Sequence, residues 1–472
     1  MKKIILFAAL AAFALTSCQQ DITFEENKPE GLVFTATTEI PATKTALDAS
    51  LNVVWQDGDE IVIVDGDSHI GTYTTTASGD TKATFTHHSG SEATSSPYSA
   101  WYPTTLYNNL ILPATQTYTA GNIAGNPMYA ESSTTNLSFK NLCGIIKLNI
   151  STTQTGKKVR KIVLSADQGM SGEISNAATL GTDPTAAVSG TAGITLDCGT
   201  EGVEIGSTAI PFYIAVPANT YSNLKIMVIT ADDEFQTRTA NSDIVVGRSS
   251  ITDITLGFNN LSAISNLVHY WPFNGNTNDA VPSGAINGTF LYDGETHDAT
   301  LTEDRHGNAN SAYSFDGYNI ISIGHAGDFG TSSFTANMWI CTTATTYFNT
   351  LIRTEGSSGG NGWFIRFKDS DIEIWASSNQ YISNTKINDG IWHMITFVHD
   401  TNNKVGQLYV DGVYKGGYTM SSVPNVSSDG VHTHVLGSGT HYRHCVYDGK
   451  MDEVRLYNKA LTAEEVAALY QY

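Results

Sequence analysis

The densest set of side chains able to do chemistry in this sequence is Asp369-Ser370-Asp371-Ile372-Glu373. Alternate carboxylates on a strand share one face, which is the raw material of an acid and nucleophile pair for glycoside hydrolysis. A retaining hydrolase holds its two carboxyl groups about 5 to 5.5 Å apart, and positions i and i+4 of a strand, each residue rising roughly 3.3 Å, do not supply that without a bulge. The flanking runs Phe364-Ile365-Arg366-Phe367 and Ile372-Glu373-Ile374-Trp375 read as two alternating strands. Lys368 to Asp371 is then a hairpin turn, and Asp and Ser are there because tight turns favour them. No catalytic residue is assigned.

Histidines are the next candidates. His432 and His434 alternate on one strand face, with His441 and His444 close in sequence. Without a matched carboxylate or a helix-borne His-Glu-x-x-His, alternation alone is a weak zinc signal. No Gly-x-Ser-x-Gly elbow or phosphate-binding loop is present to support nucleophilic or phosphoryl chemistry. Beyond Cys18 the thiols are Cys143, Cys198, Cys341 and Cys445, none in Cys-x-x-Cys spacing. Export would permit disulfides, while free buried thiols suit domains large enough to need no staples.

Cys18 itself stands apart. Lys2 and Lys3 precede an apolar run from Ile4 to Leu15, then Thr16, Ser17 and Cys18. The run falls short of the roughly 20 apolar residues that span a bilayer, and it reads as a secretion signal. Leu15-Thr16-Ser17-Cys18 resembles the bacterial lipobox, which implies cleavage before Cys18 and diacylglycerol on its sulfur. Gln19 follows in place of the Asp that marks inner-membrane retention, and Asp21, Glu25 and Glu26 resemble the acidic tether of surface lipoproteins of Bacteroidetes. The expectation is a signal peptide over 1–17, a tether over 18–30, and an outer-membrane lipid anchor facing the cell exterior.

Cleavage leaves 472 − 17 = 455 residues, enough for two to four domains at roughly 100 to 200 residues each. With 25 Lys and Arg against 46 Asp and Glu the net charge is −21. Such acidity excludes nucleic acid and anionic lipid surfaces as partners of the bulk protein.

The elements that must position these groups are strands. Asn52-Val53-Val54-Trp55, Glu60-Ile61-Val62-Ile63-Val64 and Gly144 to Ile150 are short, rich in β-branched residues and bounded by turn formers. Asp57-Gly58 reads as a hairpin turn between the first two. Over 31–258, Ala42-Thr43-Lys44-Thr45, Val54-Trp55, Ala100-Trp101-Tyr102-Pro103, Leu112 to Gln116, Asn126 to Ala130 and Phe139 to Cys143 follow one another in an order that resembles fimbrillin-like (Mfa-like) proteins. That resemblance implies two transthyretin-like β-sandwiches, split near 150–157, the second holding Phe212 to Pro217 and Leu224 to Ile229. The first Arg is Arg160, so the Arg-directed cleavage of polymerising fimbrillins has no site ahead of the first domain. A solitary surface protein, or an anchor, tip or accessory subunit among fimbrial subunits, fits better than a shaft subunit. Residues 259–266 read as a polar linker.

Residues 267–472 resemble LamG-like, concanavalin A-like jelly-roll domains. The carrying motifs are His269 to Phe273, Tyr313 to Gly317, Phe334 to Trp339, Gly390-Ile391-Trp392-His393, Leu408 to Gly412 and Gly449 to Asn458. Thr462 and Glu465 form a capping box, Leu461 staples onto Val466, and a closing helix buries Val466, Leu469 and Tyr470. The fold expected is all-β: tandem sandwiches, then a jelly roll with a short C-terminal helix. The resemblance implies a calcium site, for which Asn278, Asp279 and Asp452 stand at the matching strand positions. Aromatics that loops could offer to a ligand are Tyr347, Phe348, Trp363, Tyr381 and Tyr442, with Arg443 beside them, while Trp271, Trp339 and Trp392 are assigned to packing. The function expected is non-catalytic binding of a glycan or an extracellular host or matrix protein, the rivals being a fimbrial role and glycoside hydrolysis.

Overall fold

The computed structural model describes residues 31–39, 54–108, 111–123, 126–174, 187–188, 190, 192–291, 298–345, 348–354, 361–428, 430, 432–437 and 447–472. Cys18, the signal and tether segments, the Ala42 to Thr45 motif, His441, His444 and Cys445 lie outside them. Nearly all of the regular structure in the described residues is strand, with two short helices, as the composition of short β-branched runs requires.

Phe34–Thr37 alternates buried and open positions, and its inward Phe34 and Ala36 open the first core. That strand lies between Lys82–Gly90 and Asn136–Ser138 in an eight-stranded sheet, which encloses Trp55, Tyr73, Phe85 and Phe139. Asp57-Gly58 does form a turn, with Gly58 at φ 84°. It does not join a hairpin, however: Trp55 bridges Asp80, while Glu60–Val64 pairs with Ile70–Thr74 and Tyr98–Tyr102.

The second core forms around Gly144–Ser151, which pairs antiparallel with Ile210–Val216 and parallel with Ile251–Gly257. Its Ile146, Leu148 and Ile150 face Phe212, Val228 and Phe258. The expected split at 150–157 is therefore misplaced. Gly144–Ser151 already belongs to the second unit, and so does the earlier Thr115–Thr119, which pairs with Ile194–Asp197. Pattern could not show this, because a strand that changes partners keeps its alternation. The expected linker is likewise partly structured, since Leu261 is buried in the second core and Ser262 bridges Phe235.

From Leu267 onward two sheets face each other. One runs Thr300–Thr302, Ala312–Asp316, Asp448–Tyr457, Phe334–Cys341, Trp392–Asp400, Val405–Val410, Val413–Thr419, with Leu267–Trp271 also on Asp448–Tyr457. The other runs Thr289–Phe290, Ile321–Ser322, His434–Leu436, Phe348–Thr354, Trp363–Lys368, Asp371–Ala376, Asn379–Lys386. Between them lie Trp271, Phe273, Phe334, Trp363, Phe397 and Tyr447. The closing helix Ala463–Leu469 carries the expected capping box, with Glu465 N donating to Thr462 Oγ1 at 3.2 Å and Thr462 N to Glu465 Oε2 at 2.9 Å. Leu461, Val466 and Leu469 are buried against Trp339 and Met394, and Tyr470 stacks on Trp339. No helix among the described residues is long and apolar enough to cross a membrane.

Candidate functional site

Trp363–Lys368 and Asp371–Ala376 form the hairpin that the turn reading requires. Asp369 and Ser370 occupy its tip at φ 52° and 71°, the left-handed pair that a two-residue turn of right-handed twist demands. The register opposes Phe364 to Trp375, Arg366 to Glu373 and Lys368 to Asp371. Because side chains alternate across a strand, burying Trp363, Ile365, Phe367, Ile372 and Ile374 in the core turns these three pairs to the opposite face.

There the rings of Phe364 and Trp375 stack at 5.1 Å between centroids with 8° between planes. The Arg366 guanidinium lies 4.4 Å from the Phe364 centroid, so the indole and the cation must take opposite faces of that ring. Arg366 Nε also donates to Glu373 Oε2 at 2.6 Å. Phe364 is thus covered on both faces, and the second face of Trp375 turns toward the next strand, where Gln380 stands opposite it. On the other side Arg353 pairs with Phe364. Arg353, Phe364, Trp375 and Gln380 form one row across four adjacent strands. Two half-buried aromatics on an outward sheet face have no core to fill, and they form an apolar platform, contributed chiefly by the indole, rimmed by charged and amide groups.

Residues 315–467 match the family described as the concanavalin A-like lectin/glucanases superfamily. The C-terminal unit is a concanavalin A-like domain. Among solved structures, this chain is similar to domain 4 of an extracellular GH43 arabinanase from Geobacillus stearothermophilus in complex with arabinotriose, at 23% identity over 44% of this chain and 98% of that one, with a TM-score of 0.36. It is similar to the binding domain of botulinum neurotoxin serotype G at 14% identity over 44% of this chain and 51% of the other, TM-score 0.35. The binding domain of Paraclostridial Mosquitocidal Protein 1 matches at 16% identity over 43% and 52%, TM-score 0.33. The match spans about half of each toxin binding domain. No curated protein matches the chain.

Several expected contact residues of the concanavalin A-like domain have other work. Trp363 is fully buried, with Nε1 donating to the Gly327 carbonyl at 3.0 Å, so it is core and not a ligand contact. Tyr381 turns toward the core and its hydroxyl donates to the Lys415 carbonyl at 2.7 Å. Tyr347, Tyr442 and Arg443 lie outside the described residues, as does the side chain of Phe348. Trp271 and Trp339 are buried and Trp392 packs on the closing-helix cluster, as assigned. Phe364, Trp375 and Arg366 are not among the expected contacts. Their signal was present, since in a strand whose alternate residues fill the core an aromatic at the other positions needs a separate reason.

The three calcium candidates are also engaged. Asp279 Oδ1 accepts from Tyr270 N and Val281 N, each at 3.0 Å, and Oδ2 accepts from Ile286 N at 3.0 Å with His269 Nδ1 at 2.7 Å. Burial alone would raise this carboxyl, but those donors hold it below its usual range. Asn278 is exposed. Asp452 Oδ2 pairs with Arg305 Nη1 at 3.3 Å rather than with Arg455, which takes Glu453. Calcium would have to displace donors from Asp279 and compete with a guanidinium at Asp452.

Among the described residues, Asp65, Asp67 and His69 are the group of three whose ligand atoms converge within 4.8 Å. Buried Asp65 there accepts from the backbone of Asp67, His69 and Thr94 at 2.8 to 3.0 Å. It shapes the turn around Gly66, and its hydrogen bonds overcome burial to hold it well below the carboxylate range. Cys143, Cys198 and Cys341 are free thiols.

Proposed function

We propose that the concanavalin A-like domain binds a glycan on the sheet face bearing Arg353, Phe364, Trp375 and Gln380, and releases it unchanged. The observation that carries this reading is the outward Phe364–Trp375 stack, with the half-buried indole beside the exposed Gln380. The C–H face of a sugar ring packs on such a surface by dispersion and desolvation, while Arg353 and Gln380 offer donors to its hydroxyls. The absence of turnover rests on Glu373, whose Oε2 is held by Arg366, and on Asp369, which is committed to the turn. The tandem sandwiches serve as a stalk, and the lipobox at Cys18 places the whole at the outer surface of an outer membrane. A fimbrial neighbour for the stalk belongs to the same reading, as an accessory role.

A glycan array probed with the chain from residue 19 onward tests this. Trp375→Ala should lower affinity for the preferred glycan by about 2 kcal/mol, or about thirty-fold, as loss of a central aromatic contact does. Glycan binding that is indifferent to Trp375→Ala, or recognition of a matrix protein in place of any glycan, would overturn the platform reading.

A further inference from the structure

His434 begins the strand His434–Leu436, and its side chain points inward beside Trp363 with no exposed surface. Its Nδ1 faces the Gly324 carbonyl at 3.3 Å, and its Nε2 has no hydrogen-bond partner, facing Asp328 Oδ1 at 3.6 Å. A neutral imidazole carries one N–H. If it sits on Nδ1, the bare Nε2 lone pair opposes a carboxylate; if it sits on Nε2, the Nδ1 lone pair opposes a carbonyl. A cation between Nε2 and Asp328 Oδ1 satisfies both ends.

The gap has the size of a metal bridge. Zinc binds imidazole nitrogen at about 2.0 to 2.1 Å and carboxylate oxygen at about 2.0 to 2.2 Å. Two such bonds span 3.6 Å at an N–Zn–O angle of roughly 120°. A third ligand stands three residues before Asp328 across a turn: the half-exposed His325 has its Nδ1 3.2 Å from Asp328 Oδ2 and 3.2 Å from Ser428 Oγ, and it would turn from Ser428 to reach the ion. The two imidazole centroids are 6.5 Å apart, about 1 Å more than two rings on one zinc. The supporting contacts are of the kind that orient metal ligands. Gly324 fixes the His434 tautomer, and Ser428 holds Asp328 through its backbone N at 2.5 Å and Oγ at 3.1 Å. Gly327 is the residue that admits the ring, since a Cβ there would lie 2.6 Å from His434 Cδ2.

We infer that His434, Asp328 and His325 form a binding site for zinc or a similar borderline divalent cation, with water completing the coordination. The ion would tie the 324–328 turn to His434–Leu436, on the sheet that carries the aromatic platform. It is independent of glycan recognition.

The test uses the chain from residue 19 onward, stripped with chelator, exposed to zinc chloride and passed through gel filtration. Elemental analysis should find zinc retained at this site. Asp328→Asn and His325→Ala, which alter groups at the rim of the site, should each weaken zinc affinity at least tenfold and dim the visible bands of the cobalt-substituted protein. His434→Gln should do the same where it folds. Failure of the wild type to retain zinc, or full retention with unchanged cobalt bands in both rim variants, overturns the site.

Discussion

Asp452→Asn should stabilise the protein above neutral pH and lose that advantage in mild acid. The Asp452 side chain is 2% exposed and its Oδ1 has no hydrogen-bond partner. Burial first, and then the charge of Glu453, raise its carboxyl to about 7 from 3.8, against the pull of Arg305. Desolvation exceeds the attraction because Arg305 approaches one oxygen only, at 3.3 Å, and also donates to the Tyr472 carbonyl. A folded-state value above the unfolded one means that the folded state binds the proton more tightly. The contribution is therefore fully present below 3.8 and lost as pH rises through about 7. Between pH 8 and pH 5 the folded state recovers about two units, or about 2.7 kcal/mol at 1.36 kcal/mol per unit. His393 adds stability of the same sign: Asp411 at 2.7 Å raises it, so its share is present below 6.5 and lost above its folded value. The wild-type curve alone mixes the two, and the difference between wild type and Asp452→Asn isolates the carboxyl. Thermal unfolding of both, from pH 5 to pH 8, should show that difference change by about 5 to 11 °C for a domain of some 200 residues. A difference that stays constant across the window would refute the reasoning, and would mean that Arg305 keeps Asp452 charged throughout.

Further outcomes follow from the same structure. Labelled palmitate should enter the wild type and not Cys18→Ala in intact cells, and external protease should remove the wild-type protein; labelling that survives the substitution would end the lipid-anchor reading. Excess calcium should leave the unfolding midpoint of the chain from residue 19 unchanged relative to chelator, because four donors occupy Asp279. A rise of about 5 to 11 °C, abolished by Asp279→Ala and Asp452→Ala, would instead establish an ion bound at one hundred times its dissociation constant. Trp363→Ala should cost about 3 to 5 kcal/mol of stability, as core truncations of that size do, whereas Trp375→Ala should cost far less and fail in binding. No β-glucan should be hydrolysed by the wild type, and turnover abolished by Glu373→Gln would show that the Arg366 pair opens to admit substrate.

What the sequence made legible were features written in neighbouring residues. The capping box at Thr462 and Glu465, the Asp369-Ser370 turn and the packing tryptophans depend on spacings of a few positions, and each stands where the pattern predicted. The aromatic platform was half legible: alternation gave the outward face of each strand, but only the register sets Phe364 beside Trp375. What escaped was chosen by distant chain. His432 and His434 have no carboxylate beside them in sequence, and the one that faces His434, Asp328, stands in a turn more than a hundred residues earlier. Arg455 stands nearest to Asp452 in sequence, while the fold delivers Arg305 to it.

The same long-range logic governs how the platform is presented. Met227 and Ile229 of the second sandwich are buried against Ala468 of the closing helix. Lys161 Nζ donates to the Gln471 carbonyl at 2.6 Å, and the Tyr472 hydroxyl donates to the Asp233 carbonyl at 2.6 Å. These contacts use the face of the helix opposite to Val466 and Leu469, which are buried in its own domain. The helix thus wedges between the two units, and the short 259–266 connector, anchored by Leu261, leaves little slack. A ligand on the Trp375 face would therefore pull on the second sandwich through the helix as well as through the connector. Ala468→Asp, which sets a carboxylate against Met227 and Ile229, should loosen that coupling, as seen in a faster-tumbling C-terminal domain by NMR relaxation, with glycan affinity unchanged. If the two units tumble as one body after that substitution, the helix contact is not what couples them.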